Sequence, residues 1–370
     1  MPSNGKNIDK VFLGTVIVLL IVGCIIFISA SMGILAKDSA QFASIISKQI
    51  FFGIVFGLIA CFIFLKIDYK ILKKYSLYIF IGSIILTIFV FVPGLGTNLN
   101  TFAKRWISLF GFTFQPVAVL NIGFIIYWSA WLSSIKEKVS TLKYGFLPLV
   151  VIIIILGALL LSQPDTDSFL ILCATAVAMF IVAGGRKRYV AALFLAGILC
   201  LVVLAFTRPY VMSRIETYIH PSANSQTSGY QIQQSLIAVG SGQVFGKGLG
   251  QSIQKYNFLP ESISDTIFAV LAEEVGFVGC IFVIGAFLFF VFRGFRIAIR
   301  APDIFGGLLV VGIVILTILQ SFTNIASVLG IIPFSGLPLA FFSQGGTAML
   351  LVLVQIGIVL NVSKFGKAFK

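Results

Sequence analysis

Residues 228–276 read SGYQIQQSLIAVGSGQVFGKGLGQSIQKYNFLPESISDTIFAVLAEEVG, and they pass from a polar, glycine-rich segment into an apolar run. A turn that contains a proline, at residues 259–261, separates the two parts. The apolar run has Asp265 at its start and Glu273 and Glu274 in its interior. An acidic residue within a membrane helix costs about 2.5–3.5 kcal/mol on insertion scales. We therefore expect at least one of these three acids to have a function.

The composition of the whole chain is that of an integral membrane protein. Of its 370 residues, 59% are apolar and 10% are charged, whereas a soluble domain has about 25% charged residues. The five cysteines all lie within apolar runs, which argues against a disulfide framework and a CxxC metal site. The single histidine, His220, excludes a multi-histidine metal centre. The net charge of +14 is spread over short loops, a pattern that indicates membrane orientation and not nucleic-acid binding.

Ten apolar runs predict ten membrane-spanning helices, since one span needs about 17–25 such residues. They lie at about residues 11–31, 50–66, 77–93, 116–133, 145–162, 168–184, 189–206, 266–292, 304–328 and 340–362. An even number of spans places both termini on one side of the membrane. That side carries 18 of the 26 lysines and arginines, so we expect it to be cytoplasmic.

The predicted architecture is a single all-α, polytopic membrane domain that comprises residues 1–370. Cytoplasmic tails are expected at residues 1–10 and 363–370. A large extracytoplasmic loop is expected at residues 207–265, between the seventh and eighth helices. Within that loop, residues 230–244 place apolar side chains at helical spacing, which predicts an amphipathic helix. Such a helix either lies at the membrane interface or packs as an ordinary loop helix.

The glycines of the same loop do not match the common phosphate-binding fingerprints. Ser241 occupies the place of the first Walker A glycine, and Gly248 follows Lys247 where Ser or Thr is required. Phe245 takes the place of the third glycine of GxGxxG. Two interpretations remain open, namely backbone amides that hold a phosphate oxygen and a flexible turn.

Asp265 is the strongest candidate for chemistry, because it precedes the eighth predicted helix on the outer side. The helix dipole favours an anion there, although an aspartate in this position can also be simply a cap. Glu273 lies about 80° around the helix and about 12 Å deeper, where it would line a cavity. Glu274 lies on the opposite side, and we expect it to pair with a neighbouring helix.

Other charges on the outer side complete the candidate site. Asp165 and Asp167 follow Gln163-Pro164 in a very short outer loop, a pattern that helix-capping turns share. Lys104 and Arg105 precede the fourth predicted helix, where they either anchor the chain at the interface or bind an anion. Cationic clamps of this kind stabilise the charge that develops on a leaving pyrophosphate.

Two sets of short motifs run in order along nearly the whole chain. The outer loop and the start of the eighth span contribute Gly229-Tyr230-Gln231, residues 234–242 (QSLIAVGSG), residues 245–250 (FGKGLG), Gln254-Lys255, Leu259-Pro260-Glu261, Asp265 and Ala272-Glu273-Glu274-Val275-Gly276. The rest of the chain contributes Ser29-Ala30-Ser31, Lys104-Arg105-Trp106, Gln115-Pro116, Gln163-Pro164-Asp165, Arg208-Pro209-Tyr210, Gly336-Leu337-Pro338 and Ser343-Gln344-Gly345-Gly346. Together these motifs resemble the SEDS family (shape, elongation, division and sporulation), and they are closer to its division branch than to its elongation branch.

The resemblance implies a peptidoglycan glycosyltransferase that polymerises lipid II, the undecaprenyl-pyrophosphate-linked disaccharide-peptide, outside the bacterial cytoplasmic membrane at the division septum. It implies a class B penicillin-binding protein and other division proteins as partners, and no nucleic acid. Asp265 is the expected general base. The expected substrate-binding residues are Lys104, Arg105, Asp165, Lys247, Lys255, Glu261 and Glu273. No nucleotide is required, whereas a divalent cation, Mg²⁺ or Mn²⁺, is compatible with Asp165 as a ligand.

Three departures from the family pattern bear on activity. After Gln115-Pro116, the usual Ser-Glu is replaced by Val117-Ala118, and Asn121 replaces a lysine. Thr166-Asp167 replace an aromatic or aliphatic residue and a glycine, and Gln344 stands where tyrosine is expected. Two alternatives to the enzyme stay open, a lipid II transporter and a catalytically weak scaffold for the penicillin-binding protein. The charges cluster on the outer half of the bundle, which favours the enzyme over the transporter.

Overall fold

The computed structural model describes residues 7–94, 96–97, 105–109, 112–220, 228–256 and 258–366. Over these residues the chain is almost entirely helical. Its helices are α1 (Lys10–Leu35), α2 (Ser39–Lys48), α3 (Phe56–Lys66), α4 (Tyr69–Lys74), α5 (Ser76–Ile88), α6 (Pro116–Ile135), α7 (Leu147–Leu161), α8 (Thr166–Val182), α9 (Lys187–Thr207), α10 (Pro209–Ile219), α11 (Ser228–Ser241), α12 (Ile267–Ile299), α13 (Ile304–Val328) and α14 (Gly346–Phe365). Two π-helical segments, Gln49–Val55 and Leu142–Phe146, lead directly into α3 and α7.

Eight helical stretches are long and apolar enough to cross a membrane, by length and composition. They are Lys10–Leu35, Ser39–Lys66, Pro116–Ser140, Leu142–Leu161, Lys187–Thr207, Ile267–Ile299, Ile304–Val328 and Gly346–Phe365. Two shorter apolar helices, Ser76–Phe91 and Thr166–Val182, lie at the third and sixth predicted spans. The helical, multi-pass class is confirmed, while the count of ten spans and their orientation stay predictions.

Aspartates determine where several helices begin. Five of them are N-cap residues whose carboxylates accept a hydrogen bond from a backbone amide of the first turn: Asp9, Asp38, Asp68, Asp165 and Asp303. Such a cap satisfies one of the amide groups that lack a partner within the helix. Asp303 also accepts a hydrogen bond from Tyr69 Oη at 2.7 Å, and Asp9 forms an ion pair with Arg293 at 3.0 Å. Two of the caps therefore also join distant parts of the chain.

Helix α13 lies at the centre of the bundle. It packs against α6, α8, α12 and α14, and most of its residues are buried. Helix α9 is the opposite case, because Leu204 is the only buried residue among its described ones. Asn324, near the end of the central helix α13, is itself fully buried.

The outer loop contains the short helix α10 and the helix α11. Helix α11 confirms the helix predicted at residues 230–244. Its Ile232 and Ala238 side chains are buried, and its principal neighbour is α12, while Leu236 and Ile237 are exposed. One face therefore packs on the bundle, as an ordinary loop helix does, and an apolar face stays uncovered, as in an interfacial helix.

Helix α12 is broken at Gly276, where the hydropathy pattern predicted a continuous span. Gly276 has φ +66°, and a Cβ atom there would collide with the backbone nitrogen of Gly246. The backbone amides of Lys247 and Gly248 donate to the carbonyl oxygens of Glu273 and Glu274 on the outer side of the break, each at 3.0 Å. The break is tolerated because the glycine-rich loop supplies the hydrogen bonds that the helix loses there.

A small antiparallel sheet precedes α6 and departs from the all-α prediction. It consists of β1 (Gly96–Thr97), β2 (Trp106–Leu109) and β3 (Phe112–Phe114), in the order β1-β2-β3. Ile107 pairs with Phe114 in the register of the two longer strands. The strands have at most four residues, which is too short for hydropathy to distinguish them from a loop. Arg105 is the residue directly before β2.

Candidate functional site

Asp265 lies at the end of an outer turn, directly before the start of α12. The N-cap of α12 is Thr266, so the capping role considered for Asp265 is not what this structure gives it. The Asp265 side chain is partly exposed, and a methyl group added to Gly336 would come within 3.4 Å of its Oδ2 atom. Asp265 forms no ion pair with any residue that the structure describes. The carboxylate is therefore not committed to a charged partner within the described part of the chain.

The backbone of the Asp265 turn is fixed by α13 and by the loop that follows it. Asn324 Nδ2 donates hydrogen bonds to the carbonyl oxygens of Asp265 and Leu337, both at 2.7 Å. Ser343 Oγ donates to the carbonyl oxygen of Ser264 at 2.6 Å. The two motifs at residues 336–338 and 343–346 therefore hold the turn that carries the candidate base, a function that the sequence did not reveal.

The surroundings raise the pKa of Asp265 from its ordinary value of 3.8 to about 7. Burial is the largest cause, and the negative charges of Glu261 and Asp167 act in the same direction. The positive charges of Arg105 and Arg214 act against them. A carboxylate with a pKa near 7 can accept and release a proton at neutral pH, which is what a general base requires.

A polar cavity of about 60 Å³ lies near the outer ends of α6, α8 and α14. Its walls include Ala118, Asn121, Asp165, Gln320, Gly336 and Gln355. Gly336 lines this cavity and also approaches Asp265, so the cavity and the candidate base are adjacent. Ala118 and Asn121 stand at the two positions where the resemblance led us to expect a glutamate and a lysine. The cavity therefore lacks both of those charges.

Asp165 faces this cavity with an oxygen atom that has no hydrogen-bond partner. Its side chain is 2% exposed, and Oδ1 accepts a weak hydrogen bond from the Ser168 amide and lies 3.8 Å from Arg105 Nη1. Oδ2 makes no hydrogen bond within the described part of the chain, and neither does Oδ1 of Asn121. Burial raises the pKa of Asp165, although the nearby Arg105 charge opposes the increase. Two oxygen acceptors are thus available inside the cavity.

The second acid of the same turn, Asp167, holds a different arginine. Arg214 Nη1 lies 2.8 Å from both carboxylate oxygens of Asp167. Arg214 belongs to α10 in the outer loop, so this ion pair joins the outer loop to the start of α8. No local pattern in the sequence predicts this pair, because the two residues are 47 positions apart.

Glu273 is buried and accepts hydrogen bonds from the glycine-rich loop. Lys247 Nζ and Ser252 Oγ each donate to its carboxylate at 2.6 Å. The backbone amides of Ile253 and Gln254 donate as well, each at 3.2 Å. The structure therefore places Glu273 against this loop, and not among the described residues that line the cavity, where the sequence led us to expect it.

Glu274 is equally buried and pairs with a neighbouring helix, as expected. Ser29 Oγ of α1 donates to its two oxygens at 2.6 and 2.7 Å, and Lys255 Nζ donates at 2.8 Å. The Lys255 side chain has no exposed surface and also donates to Ser29 Oγ and to the Gly250 carbonyl. We call this cluster the glutamate lock; it consists of Ser29, Lys247, Ser252, Lys255, Glu273 and Glu274.

The predicted site residues thus fall into two groups. The charges of Arg105 and Glu261 act on Asp265, and Asp165 pairs with Arg105 and lines the adjacent cavity. Lys247, Lys255 and Glu273 belong to the glutamate lock. Lys104 lies outside the described residues. The substrate-binding roles expected for all of them stay predictions. The sequence interpretation did not single out Asn324 or Arg214, and Arg214 was visible only as one of the charged residues of the predicted outer loop.

The model of the cell cycle protein family FtsW, RodA and SpoVE matches residues 9–368. A probable peptidoglycan glycosyltransferase FtsW from Geobacter sp. (strain M18) is 36% identical over 358 residues, covering 97% of each chain. Stage V sporulation protein E from Bacillus subtilis (strain 168) is 34% identical over 370 residues, covering 99% of this chain and 100% of the relative.

Solved structures share the fold at lower sequence identity. The structure described as "Structural coordination of polymerization and crosslinking by a peptidoglycan synthase complex" gives a TM-score of 0.79 at 21% identity, covering 96% of this chain and 97% of that one. The crystal structure of the rod shape determining protein RodA from Thermus thermophilus gives a TM-score of 0.70 at 21% identity, with 96% of each chain covered. These similarities support the helical architecture.

Proposed function

The chain belongs to the FtsW, RodA and SpoVE family of cell cycle proteins, and we propose that it is a peptidoglycan glycosyltransferase that polymerises lipid II during cell division. The observation that carries the proposal is the partly exposed carboxylate of Asp265, adjacent to a polar cavity and free of ion pairs with described residues. A carboxylate of this kind, with a pKa near 7, is suited to remove a proton from a sugar hydroxyl.

The proposed membrane arrangement has ten spans in a single domain of residues 1–370. Eight long apolar helices and two shorter ones support this number. The excess of basic residues on one side supports cytoplasmic tails at residues 1–10 and 363–370. Residues 207–265, which carry α10 and α11, then form an extracytoplasmic loop, and Asp265 opens to the outer side, where the lipid-linked substrate is displayed.

In the proposed reaction, the 4-hydroxyl of an acceptor GlcNAc attacks the anomeric carbon of a donor MurNAc. The bond from that carbon to undecaprenyl pyrophosphate breaks, and the configuration is inverted. Asp265 takes the hydroxyl proton, while the negative charge of the leaving pyrophosphate needs positive charge beside it. Arg105 supplies positive charge near Asp265, and Lys104, which lies outside the described residues, is a second candidate. Glu261 acts by keeping the pKa of Asp265 high.

The residues of the cavity fit a divalent cation of the Mg²⁺ or Mn²⁺ type. Oδ2 of Asp165 and Oδ1 of Asn121 are oxygen acceptors without partners among the described residues, and oxygen is the ligand that such hard cations prefer. Mg²⁺ typically uses one or two carboxylates together with water and substrate phosphates. Bound there, the cation would neutralise pyrophosphate charge. In its absence, Asp165 and Asn121 would bind water.

A second candidate function follows from the composition of the cavity. Ala118 and Asn121 leave it without the glutamate and the lysine expected from the family pattern. This observation favours a catalytically weak scaffold that positions a partner enzyme. The enzyme is the better-supported function, because Asp265 is present and the hydrogen bonds from Asn324 and Ser343 hold the backbone of its turn.

The proposed partner is a class B penicillin-binding protein that crosslinks the new strands, together with other division proteins. One structure with the same fold is described as a peptidoglycan synthase complex that coordinates polymerisation and crosslinking, which supports a partnership of this type. The proposed location is the bacterial cytoplasmic membrane at the division septum, and the eight long apolar helices support the membrane part of this proposal.

Labelled lipid II separates the three functions. The purified chain is incubated with it in detergent and, separately, in vesicles, as the wild type and as Asp265→Asn. Polymer formed by the wild type and not by Asp265→Asn supports the enzyme. Passage of label across the vesicle without polymer supports a transporter. Neither activity, with binding to a penicillin-binding protein retained, supports the scaffold.

A further inference from the structure

Two arginines contact the turn that carries Asp165 and Asp167, but they use their hydrogen-bond donors differently. Arg105 donates from Nε to the Gln163 carbonyl and from Nη2 to the Pro164 carbonyl, and its Nη1 faces Asp165. Nε and Nη2 thus donate to backbone carbonyls of the turn, and Nη1 forms a longer ion pair with Asp165 at 3.8 Å. Arg105 is therefore committed to holding the backbone of this turn in place.

Arg214 uses only one of its three nitrogen atoms. Nη1 lies 2.8 Å from both oxygens of Asp167, and Nε and Nη2 donate no hydrogen bond to any described residue. The Arg214 side chain is 30% exposed, so that edge of the guanidinium is accessible. The Nε–Nη2 edge is one that can bind two oxygens of a phosphate at once.

The position of Arg214 relates it to the candidate base. Its charge is one of the positive charges that act on Asp265. The lysines of the glutamate lock are different, because Lys247 and Lys255 already donate to buried carboxylates. Within the described part of the chain, Arg214 is thus the cation near Asp265 that keeps free donors.

We propose that Arg214 binds the pyrophosphate group of the lipid-linked substrate through Nε and Nη2, and that Asp167 is the positioning residue that fixes its guanidinium. This inference rests on the proposed function and adds a residue to it. Asp167 stands where the family pattern has a glycine, so this chain carries a carboxylate that anchors Arg214 from α8. The ion pair limits the rotation of a long side chain that otherwise loses entropy on binding.

The test measures the binding of undecaprenyl pyrophosphate to the purified full chain, for example by native mass spectrometry. Arg214→Gln is expected to weaken binding about 10–100-fold, the range for losing charge-assisted hydrogen bonds. Arg214→Lys keeps the charge but loses the planar edge, so its loss should be intermediate. The matched control is Arg208→Gln, which removes an exposed charge at the start of the same helix and should change binding less than about twofold.

A second lipid separates pyrophosphate recognition from binding of the polyprenyl chain. Undecaprenol has the same chain without phosphate, so its binding should be equal in the wild type and in Arg214→Gln. Unchanged binding of the pyrophosphate lipid by a folded Arg214→Gln variant overturns the proposal. So does an equal loss with undecaprenol, because it indicates a structural defect.

The positioning role of Asp167 is tested by measuring KM and kcat separately, because a general structural defect would not change KM alone. Asp167→Asn should raise the KM for lipid II several-fold and leave kcat nearly unchanged, and Asp167→Glu should restore part of the loss. A fall in kcat alone contradicts a positioning role.

Failure of the inference can be told apart from failure of the proposed function. A wild type that polymerises lipid II, with Arg214→Gln binding as tightly, rejects only the role of Arg214. A wild type that binds the pyrophosphate lipid through Arg214 without forming polymer supports the inference and rejects the polymerase.

Discussion

Two groups of acids lie within ten residues at the outer end of α12, and they differ in what surrounds them. Asp265 is partly exposed and has no ion pair with a described residue. It adjoins a cavity into which Asp165 presents an oxygen that has no hydrogen-bond partner among the same residues. Glu273 and Glu274 are buried, and each has a lysine and a serine hydroxyl as donors. The same short segment therefore contains carboxylates of opposite kinds.

The difference indicates which acids work and which hold the structure. Removing one partner of a buried ion pair leaves an uncompensated charge and destabilises the protein, so paired acids such as Glu274 are needed for stability. A carboxylate whose pKa is shifted and whose oxygens remain available is typical of a functional site. Sequence position alone does not separate the two cases, since all three acids lie at one end of the same predicted span.

The largest effect is expected where the available carboxylate is removed. Asp265→Asn should lower polymerisation of lipid II about 10²–10⁴-fold, the usual contribution of a general base, and leave the thermal unfolding midpoint unchanged. Rates with labelled lipid II and unfolding in detergent measure the two quantities. The matched control is Asp38→Asn, which changes an exposed N-cap acid to another good cap and should alter neither. Equal activity in Asp265→Asn and the wild type contradicts the assignment.

The next effect concerns the glutamate lock and should appear in stability. Lys255→Met leaves Glu274 buried without its cation, so the free energy of unfolding should fall by about 3–5 kcal/mol. Adding Glu274→Gln removes the orphaned charge and should recover part of the loss. Lys37→Met, at an exposed lysine, is the control. Denaturant unfolding of the wild type, the two single variants and the double variant measures these free energies. If Lys255→Met is as stable as the wild type, the proposed structural role of Glu274 is wrong.

The pH dependence should separate the two groups in a second way. Since Asp265 must be deprotonated to act, kcat/KM should rise about tenfold per pH unit up to about pH 7 and then level off. The folded protein binds this proton more tightly than the unfolded chain, whose pKa is near 3.8. The contribution of Asp265 to stability is therefore present at low pH and is lost as the pH rises toward 7.

Glu261→Gln sharpens the pH prediction. It removes a negative charge that raises the pKa of Asp265, so the rise in kcat/KM should move to lower pH. A pH–rate profile of the wild type and of this variant measures the shift. A profile whose midpoint stays in the same place in both proteins would mean that another group controls the rate.

The helices could be predicted from the sequence because apolar length is a local property. The ninth predicted span, residues 304–328, coincides with α13 (Ile304–Val328). The outer turn with Asp165 and Asp167 was also visible, because a proline follows an apolar run there. Asp265 was proposed as the base from its place before a helix, a role that stays a prediction, and Glu274 was correctly expected to pair with a neighbouring helix.

What the sequence did not show depends on contacts between distant segments. The break of α12 exists because the backbone at Gly246 packs against Gly276, and hydropathy responds to neither glycine. The place of Glu273 was missed for the same reason, since a continuous helix leaves no room for the loop that binds it. The pair of Asp167 and Arg214 joins residues 47 positions apart. No periodicity connects such positions.

The smallest predicted effect tests the cavity itself. Ala118→Glu together with Asn121→Lys puts an i, i+3 ion pair on α6 where the family pattern has one, and polymerisation should increase a few-fold. Ala118→Glu alone adds a buried carboxylate beside Asp165, so this variant should be less stable than the wild type and no more active. Assays with labelled lipid II and unfolding measurements compare the three proteins. If the double variant is stable and polymerises no faster, the lost charges do not limit this chain, and the available oxygens of Asp165 and Asn121 are sufficient for the site.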